Sequence, residues 1–265
     1  MQKILAVEWL KIRFYKAFWI LLGLFVVSIV GLNYLVDSFI VKAKAQTGKA
    51  NGDAILGHPF NYPDVWHTVS FWSGFLLFLP GLIIITLMTN EFTYRTHRQN
   101  IIDGWTRLQF IAIKLVWVFI LALISTIVVF ATAILFGALG DSPFSFLKLE
   151  YVGYFFIEAL SYIAVALLFG IVLKRAGLAI GLFFLYILII KNTISGLLNY
   201  FTPVKIGHYL PLSINDALIP FPFIKDMVKA MTQQPPNVSI LLGGSVVYIC
   251  LYSWIMIRTF QKADL

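Results

Sequence analysis

The sequence predicts an all-α, polytopic membrane protein: an N-terminal interfacial helix followed by six transmembrane helices, with both termini cytoplasmic. Three observations predict it. Of 265 residues, 60% are hydrophobic and 12% charged, against roughly 45–50% and about 25% in a soluble domain. Apolar runs of about 20 residues, the length a helix needs to cross a bilayer core, lie between the charges. Lysine and arginine are concentrated in alternate connections. With 24 phenylalanines and a mean hydropathy of +0.88, large side chains must face lipid or one another. A water-soluble enzyme, a disordered chain and a disulfide scaffold are thereby excluded. The single cysteine, Cys250, can form no intrachain disulfide and gives no metal or redox signal. The net charge of +8 is read as a basic rim facing anionic lipid rather than as a nucleic-acid surface.

Residues 1–16 carry Lys3, Glu8, Lys11, Arg13 and Lys16 scattered around a helical wheel, with Trp9 and Tyr15 suited to headgroup depth. They read as an interfacial helix with snorkelling lysines, the alternative being a simple extension of the first span. A signal peptide is not expected, because the basic region is long and no A-x-A-like site follows. The first span, 17–36, is the 20 uncharged residues between Lys16 and Asp37. The second, 71–90, lies within the 26 residues between Asp64 and Glu91, and the third, 110–139, around the 26 between Lys114 and Asp141. The fourth, 151–173, is interrupted only by Glu158, and the fifth, 176–198, only by Lys191. The sixth, 238–257, lies between Lys229 and Arg258. All are apolar around the whole circumference, as lipid-facing helices must be.

Orientation follows from the loop charges. With both termini inside, every arginine falls on the cytoplasmic side. Lysine and arginine exceed acidic residues there by eight, while the outer connections balance to zero.

The connection 91–107 between spans two and three is the most informative stretch. Thr96-x-x-Gln99 has the pattern of a capping box, and Gly104 can take the left-handed position that ends a helix. Thr106-x-x-Gln109 repeats the capping pattern at the start of the third span. A short helix over about His97–Asp103 is predicted, with Ile101, Ile102 and Trp105 placed to meet lipid or a partner's groove. Its basic residues could serve topology alone, but a loop needed only for charge needs no two-ended helix.

The run Glu91-Phe-x-x-Arg-Thr-x-Arg-Gln-Asn-x-Ile-Asp-Gly-x-x-Arg-x-x-Phe110 resembles the first cytoplasmic loop of type-2 ABC exporter permeases. The six-span plan and the apolar, proline-rich segment before the last span are similar too. The resemblance implies that this loop holds a coupling helix docking onto an ATPase subunit. Glu91 would end the second span. Arg95, Thr96, Arg98, Gln99 and Asn100 would lie in or beside the coupling helix, with Gly104 and Arg107 at its exit. It further implies a permease subunit of the plasma (inner) membrane, paired with a second copy or a paralogue, and a bulky or amphipathic cargo. The sequence has no G-x-x-x-x-G-K-[ST] and no H-E-x-x-H or G-x-S-x-G. No cofactor is therefore expected in this chain, with ATP and magnesium bound by a partner ATPase, and no enzymatic activity of its own. Two other classes stay open: an ion-gradient-driven secondary transporter and a non-transporting assembly or sensor subunit.

The outer segment 201–237 contains Pro203, Pro211, Pro220, Pro222, Pro235 and Pro236, which prevent one continuous helix. Short re-entrant or interfacial helices are expected, as a gate or as a packing plug. His58 and His67 lie in or beside the first outer loop without a recognised metal-ligand spacing. Glu158 and Lys191 stand at equal distances from the short connection at Lys174-Arg175. An antiparallel hairpin puts both at one depth, roughly 24 Å from the turn at about 1.5 Å per residue. They are expected to form an intramembrane ion pair, the alternative being that they line the transport path.

Overall fold

The computed structural model describes residues 2–47, 57–140, 142–202, 206–222 and 237–262. Lys49, Lys205, Lys225 and Lys229, and the 223–236 part of the proline-rich segment, lie outside them. Everything described is helix or connection, and among these residues five helices are long and apolar enough to cross a membrane, or six with one bent pair taken as a single span. The chain therefore has the build of a multi-pass membrane protein.

Helix α1 (Gln2–Arg13) is separated from α2 (Lys16–Thr47) by a turn at Phe14–Tyr15, where the Tyr15 N–H donates to the Ile12 carbonyl at 3.0 Å. The N-terminal helix is thus a distinct element and not an extension of the first span. At 32 residues, α2 is about 48 Å long and outruns the expected 17–36. Beyond Asp37 the chain meets no glycine or proline before Thr47, so nothing stops the helix.

The second span is broken. Helix α3 (Val65–Gly74) and α4 (Phe78–Thr93) meet at a bend of 44°. Pro80 explains the break, because it has no N–H to donate to the Leu76 carbonyl. That carbonyl accepts from the Leu79 N–H instead, at 3.0 Å, and Pro80 sits in the first turn of α4, where a missing donor costs little. The short helix α5 (Thr96–Ile102) is followed by α6 (Arg107–Leu139) and α7 (Glu150–Leu173).

Helix α7 is the centre of the bundle. It packs against α3, α4, α6, α8, α10 and α11. Its small residues make this possible: a Cβ on Gly170 would touch the Met88 Cβ at 3.3 Å. Lys174 (φ 56°) and an extended Arg175 then turn the chain back into α8 (Ala176–Leu185), as the expected hairpin requires. The fifth span is not regular. A π-helical turn, Tyr186–Ile190, precedes α9 (Lys191–Phe201), and the Lys191 N–H closes it on the Tyr186 carbonyl. The described part of the proline-rich segment forms a 3-10 turn (Ile206–Tyr209) and a one-turn helix α10 (Ser213–Asp216), and α11 (Val238–Lys262) completes the bundle.

The connections sort to two ends. At one end Arg107 donates to the Gln261 carbonyl at 2.5 Å, and the Lys174 ammonium lies 5.7 Å from the Phe92 ring centre. At the other end the Trp66 indole donates to the Ser145 carbonyl at 2.8 Å, Asp64 pairs with Lys148, and His67 is 2.7 Å from the Pro220 carbonyl oxygen.

Candidate functional site

Two polar clusters lie inside this apolar bundle. The first joins α5 to the rest of the molecule. Glu91, near the end of α4, is 5% exposed, Lys114 on α6 is 3% exposed and Glu8 on α1 is 2% exposed. The Lys114 ammonium is 2.5 Å from Glu8 and 3.1 Å from Glu91, and Lys11 is 3.0 Å from Glu8 and 3.2 Å from Glu91. Two carboxylates meet two ammoniums, so the charge closes to zero. Burial by itself would lower the pKa of Lys11, but Glu8 and Glu91 outweigh it and hold that ammonium above the ordinary lysine value. Trp9 stacks on Trp117 at 6.2 Å, fixing α1 against α6. A cavity of about 290 Å³ lies against this cluster.

Helix α5 is rooted in the same cluster. The Thr96 hydroxyl donates to the Glu91 carboxylate, and the His97 ring nitrogen lies 2.8 Å from the Glu91 carbonyl oxygen. The expected capping box at Thr96 and Gln99 is not formed. Thr96 is already the first helical residue, and the cap position belongs to Arg95, in a left-handed conformation (φ 55°). The reason is Glu91: it captures the Thr96 hydroxyl, while Gln99 turns away to donate to Asp103 at 3.1 Å. At the exit Gly104 has φ 96°, as its predicted stop role requires, and the Thr106–Gln109 capping box is complete.

The two faces of α5 differ. His97 and Asn100 are buried against the bundle, while Arg95, Arg98, Gln99, Ile102 and Asp103 are exposed, Ile102 at 78%. Ile101 and Trp105 pack on the core instead of standing free. Arg107 is absorbed into the first turn of α6, where it holds the end of α11.

The second cluster sits beside the breaks in the second and fifth spans. The expected direct pair of Glu158 and Lys191 is not formed. The Lys191 ammonium is 2.5 Å from Asp216 on α10 and donates to the Tyr162 hydroxyl at 2.6 Å, which in turn donates to Asp216 at 2.8 Å. The π turn ends at Lys191 and sets the face it presents, and α10 supplies a carboxylate in direct contact, which Glu158 is not. Glu158 and Lys191 nonetheless line one cavity of about 330 Å³. Phe71, Gly74, Phe75 and Phe78 bring the α3–α4 break to its wall.

Sequence reasoning missed Glu8, Lys11 and Lys114 as cluster members, and Tyr162 and Asp216 in the cavity. Glu8 and Lys11 have the i, i+3 spacing of a helical ion pair, which was a usable signal. Asp216 had none. The two histidines go to different partners: His67 stacks on Tyr151 at 4.0 Å, and His58 is 3.3 Å from Lys44. Among the described residues no group of three metal-binding side chains comes together.

A search of the curated proteins found no match. A family model described as "Protein of unknown function (DUF2705)" matches residues 56–265, which takes in both clusters apart from Glu8 and Lys11. Since that match covers well over half of the sequence, the chain belongs to the DUF2705 family.

Proposed function

We propose that this chain is the permease subunit of an ATP-driven ABC exporter in the plasma (inner) membrane, with both termini cytoplasmic. It would form the substrate path with a second copy or a paralogue and couple through residues 91–107 to a separate ATPase subunit, which binds ATP and magnesium. The observation that carries this reading is α5: a seven-residue helix bounded by two left-handed residues, with one face buried and the other exposed. Its root, Glu91, is locked by buried charges to α1 and α6. A push on the exposed face is therefore delivered to three helices at once instead of being lost in a loose loop. Rigid elements with two discrete arrangements are what a nucleotide-driven switch acts on.

The test is co-purification. The chain should retain an ATPase subunit expressed with it, and Arg98→Glu with Ile102→Asp should release it without lowering the amount of chain in the membrane. Retention by the double variant would place the contact elsewhere. An ion-gradient-driven carrier is the second reading, favoured by ionisable groups inside the spans at Glu158, Lys191 and Tyr162. Transport in vesicles that needs an ion gradient and not ATP would select it.

A further inference from the structure

The cavity of the second cluster holds a carboxyl group that no polar side chain among the described residues contacts directly. Lys191 is engaged by Asp216 and Tyr162. Glu158 is 6% exposed and lines the same cavity. Among the described residues its carboxylate has no hydrogen-bond or ion-pair partner. One ammonium thus serves two carboxylates. A buried carboxylate without a counter-charge is costly, and a structural role would be served equally well by glutamine.

Apart from Asn192, the remainder of the cavity is apolar and aromatic. Phe71, Phe75 and Phe78 from the α3–α4 break line it together with Ile187 and Leu188 from the π turn. Phe75 and Leu188 are more than 60% exposed, so the cavity opens sideways through the wall of the bundle at that point. Its volume of about 330 Å³ lies within the roughly 300–1,000 Å³ of small-molecule pockets. Gly74 faces the carboxylate closely: a Cβ there would stand 2.8 Å from Glu158 Oε1. A bare metal cation would want several oxygens at short range, whereas Asp216 and Tyr162 are already committed to Lys191. An organic ammonium needs one carboxylate and aromatic faces.

We infer that this cavity binds an amphipathic organic monocation, a primary amine on an apolar or aromatic body, with its ammonium donating to Glu158 and its body against Phe71, Phe75 and Phe78. Under the exporter reading this names the class of cargo and deepens that reading. The binding itself needs no ATPase, so the two can fail separately.

The experiment uses the full chain in lipid nanodiscs without an ATPase, with 1-naphthylmethylamine as probe and uncharged 1-naphthylmethanol as control, followed by calorimetry. The amine should bind saturably with one site per chain, and more tightly than the alcohol by about tenfold or more, as expected for a charged hydrogen bond out of water. Glu158→Gln should bring the amine down to the level of the alcohol. Gly74→Ala crowds the carboxylate and should weaken amine binding while leaving the alcohol unchanged. Equal binding of amine and alcohol by the unaltered chain would overturn the inference, and so would full amine binding by both variants. If Glu158→Gln does not reach the membrane, Gly74→Ala decides alone: unchanged amine affinity there contradicts the site.

Discussion

The two buried clusters use the same residue types to opposite ends. At the α5 end, Glu8, Lys11, Glu91 and Lys114 close their charges among three helices, and Thr96 takes up the remaining side of Glu91. In the cavity beside the span breaks, Lys191, Asp216 and Tyr162 satisfy one another and leave Glu158 over. A balanced cluster tolerates no removal, because taking one partner strands the other. An unbalanced one is already stranded, and losing the extra charge relieves it. The first arrangement suits a joint that passes force, and the second suits a place that something else completes.

Removing a charge from the balanced cluster should have the largest effect. Lys114→Ala leaves Glu8 and Glu91 with Lys11 alone and should cost about 3–5 kcal/mol. It would be seen as a large fall in the thermal midpoint of detergent-solubilised protein or as failure to accumulate. Glu158→Gln should be neutral or stabilising in the same assay. A loss there as large as that of Lys114→Ala would erase the distinction between the clusters.

Exchanging partners sharpens the comparison further. Lys191→Glu alone should impair assembly, and adding Asp216→Lys should restore it, because Asp216 is its partner. Adding Glu158→Lys instead should restore less. At the exit of α5, Gly104→Val forces a β-branched side chain into a backbone with φ 96°, at a cost on the order of 1–2 kcal/mol. It should loosen α5, measured as faster amide exchange over residues 96–104. Thr106→Ala removes a formed capping box and should cost about 1 kcal/mol.

The smallest expected effect concerns pH. Lys11 has a raised pKa, so its contribution is complete below the ordinary value of 10.5 and disappears only as pH climbs past it. The thermal midpoint should therefore be flat on this account up to about pH 10, and Lys11→Met should abolish any step above it.

Charge gaps in the chain were enough to locate the helices and the hairpin at Lys174-Arg175, because a bilayer-length apolar run leaves little choice of structure. They could not locate the breaks within helices. Pro80 was a visible sign of the bend in the second span, but it lies in a run whose composition alone says span. The π turn at Tyr186–Ile190 has no sign at all, since Tyr-Ile-Leu-Ile-Ile is equally at home in a regular helix. Because that turn resets the face of Lys191, the carboxylate it meets was not legible in the chain. Glu91 and Lys114 were read as the charges that bound two spans, and those bounding charges turned out to be each other's partners. Thr96 shows the same limit at short range: a capping pattern is a local rule, and here the Thr96 hydroxyl donates back to Glu91 from inside the helix instead of accepting at its cap.

The central claim is that the exposed face of α5 meets an ATPase, and single cysteines along that helix test it most directly in membranes containing both subunits. On a cysteine-free background made with Cys250→Ser, crosslinks to the ATPase should form from Arg98→Cys and Ile102→Cys, on the exposed face. They should not form from His97→Cys or Asn100→Cys, which are buried. Reaction of the Ile102→Cys thiol with an aqueous reagent, with no crosslink to the ATPase from any of the four positions, would contradict the account.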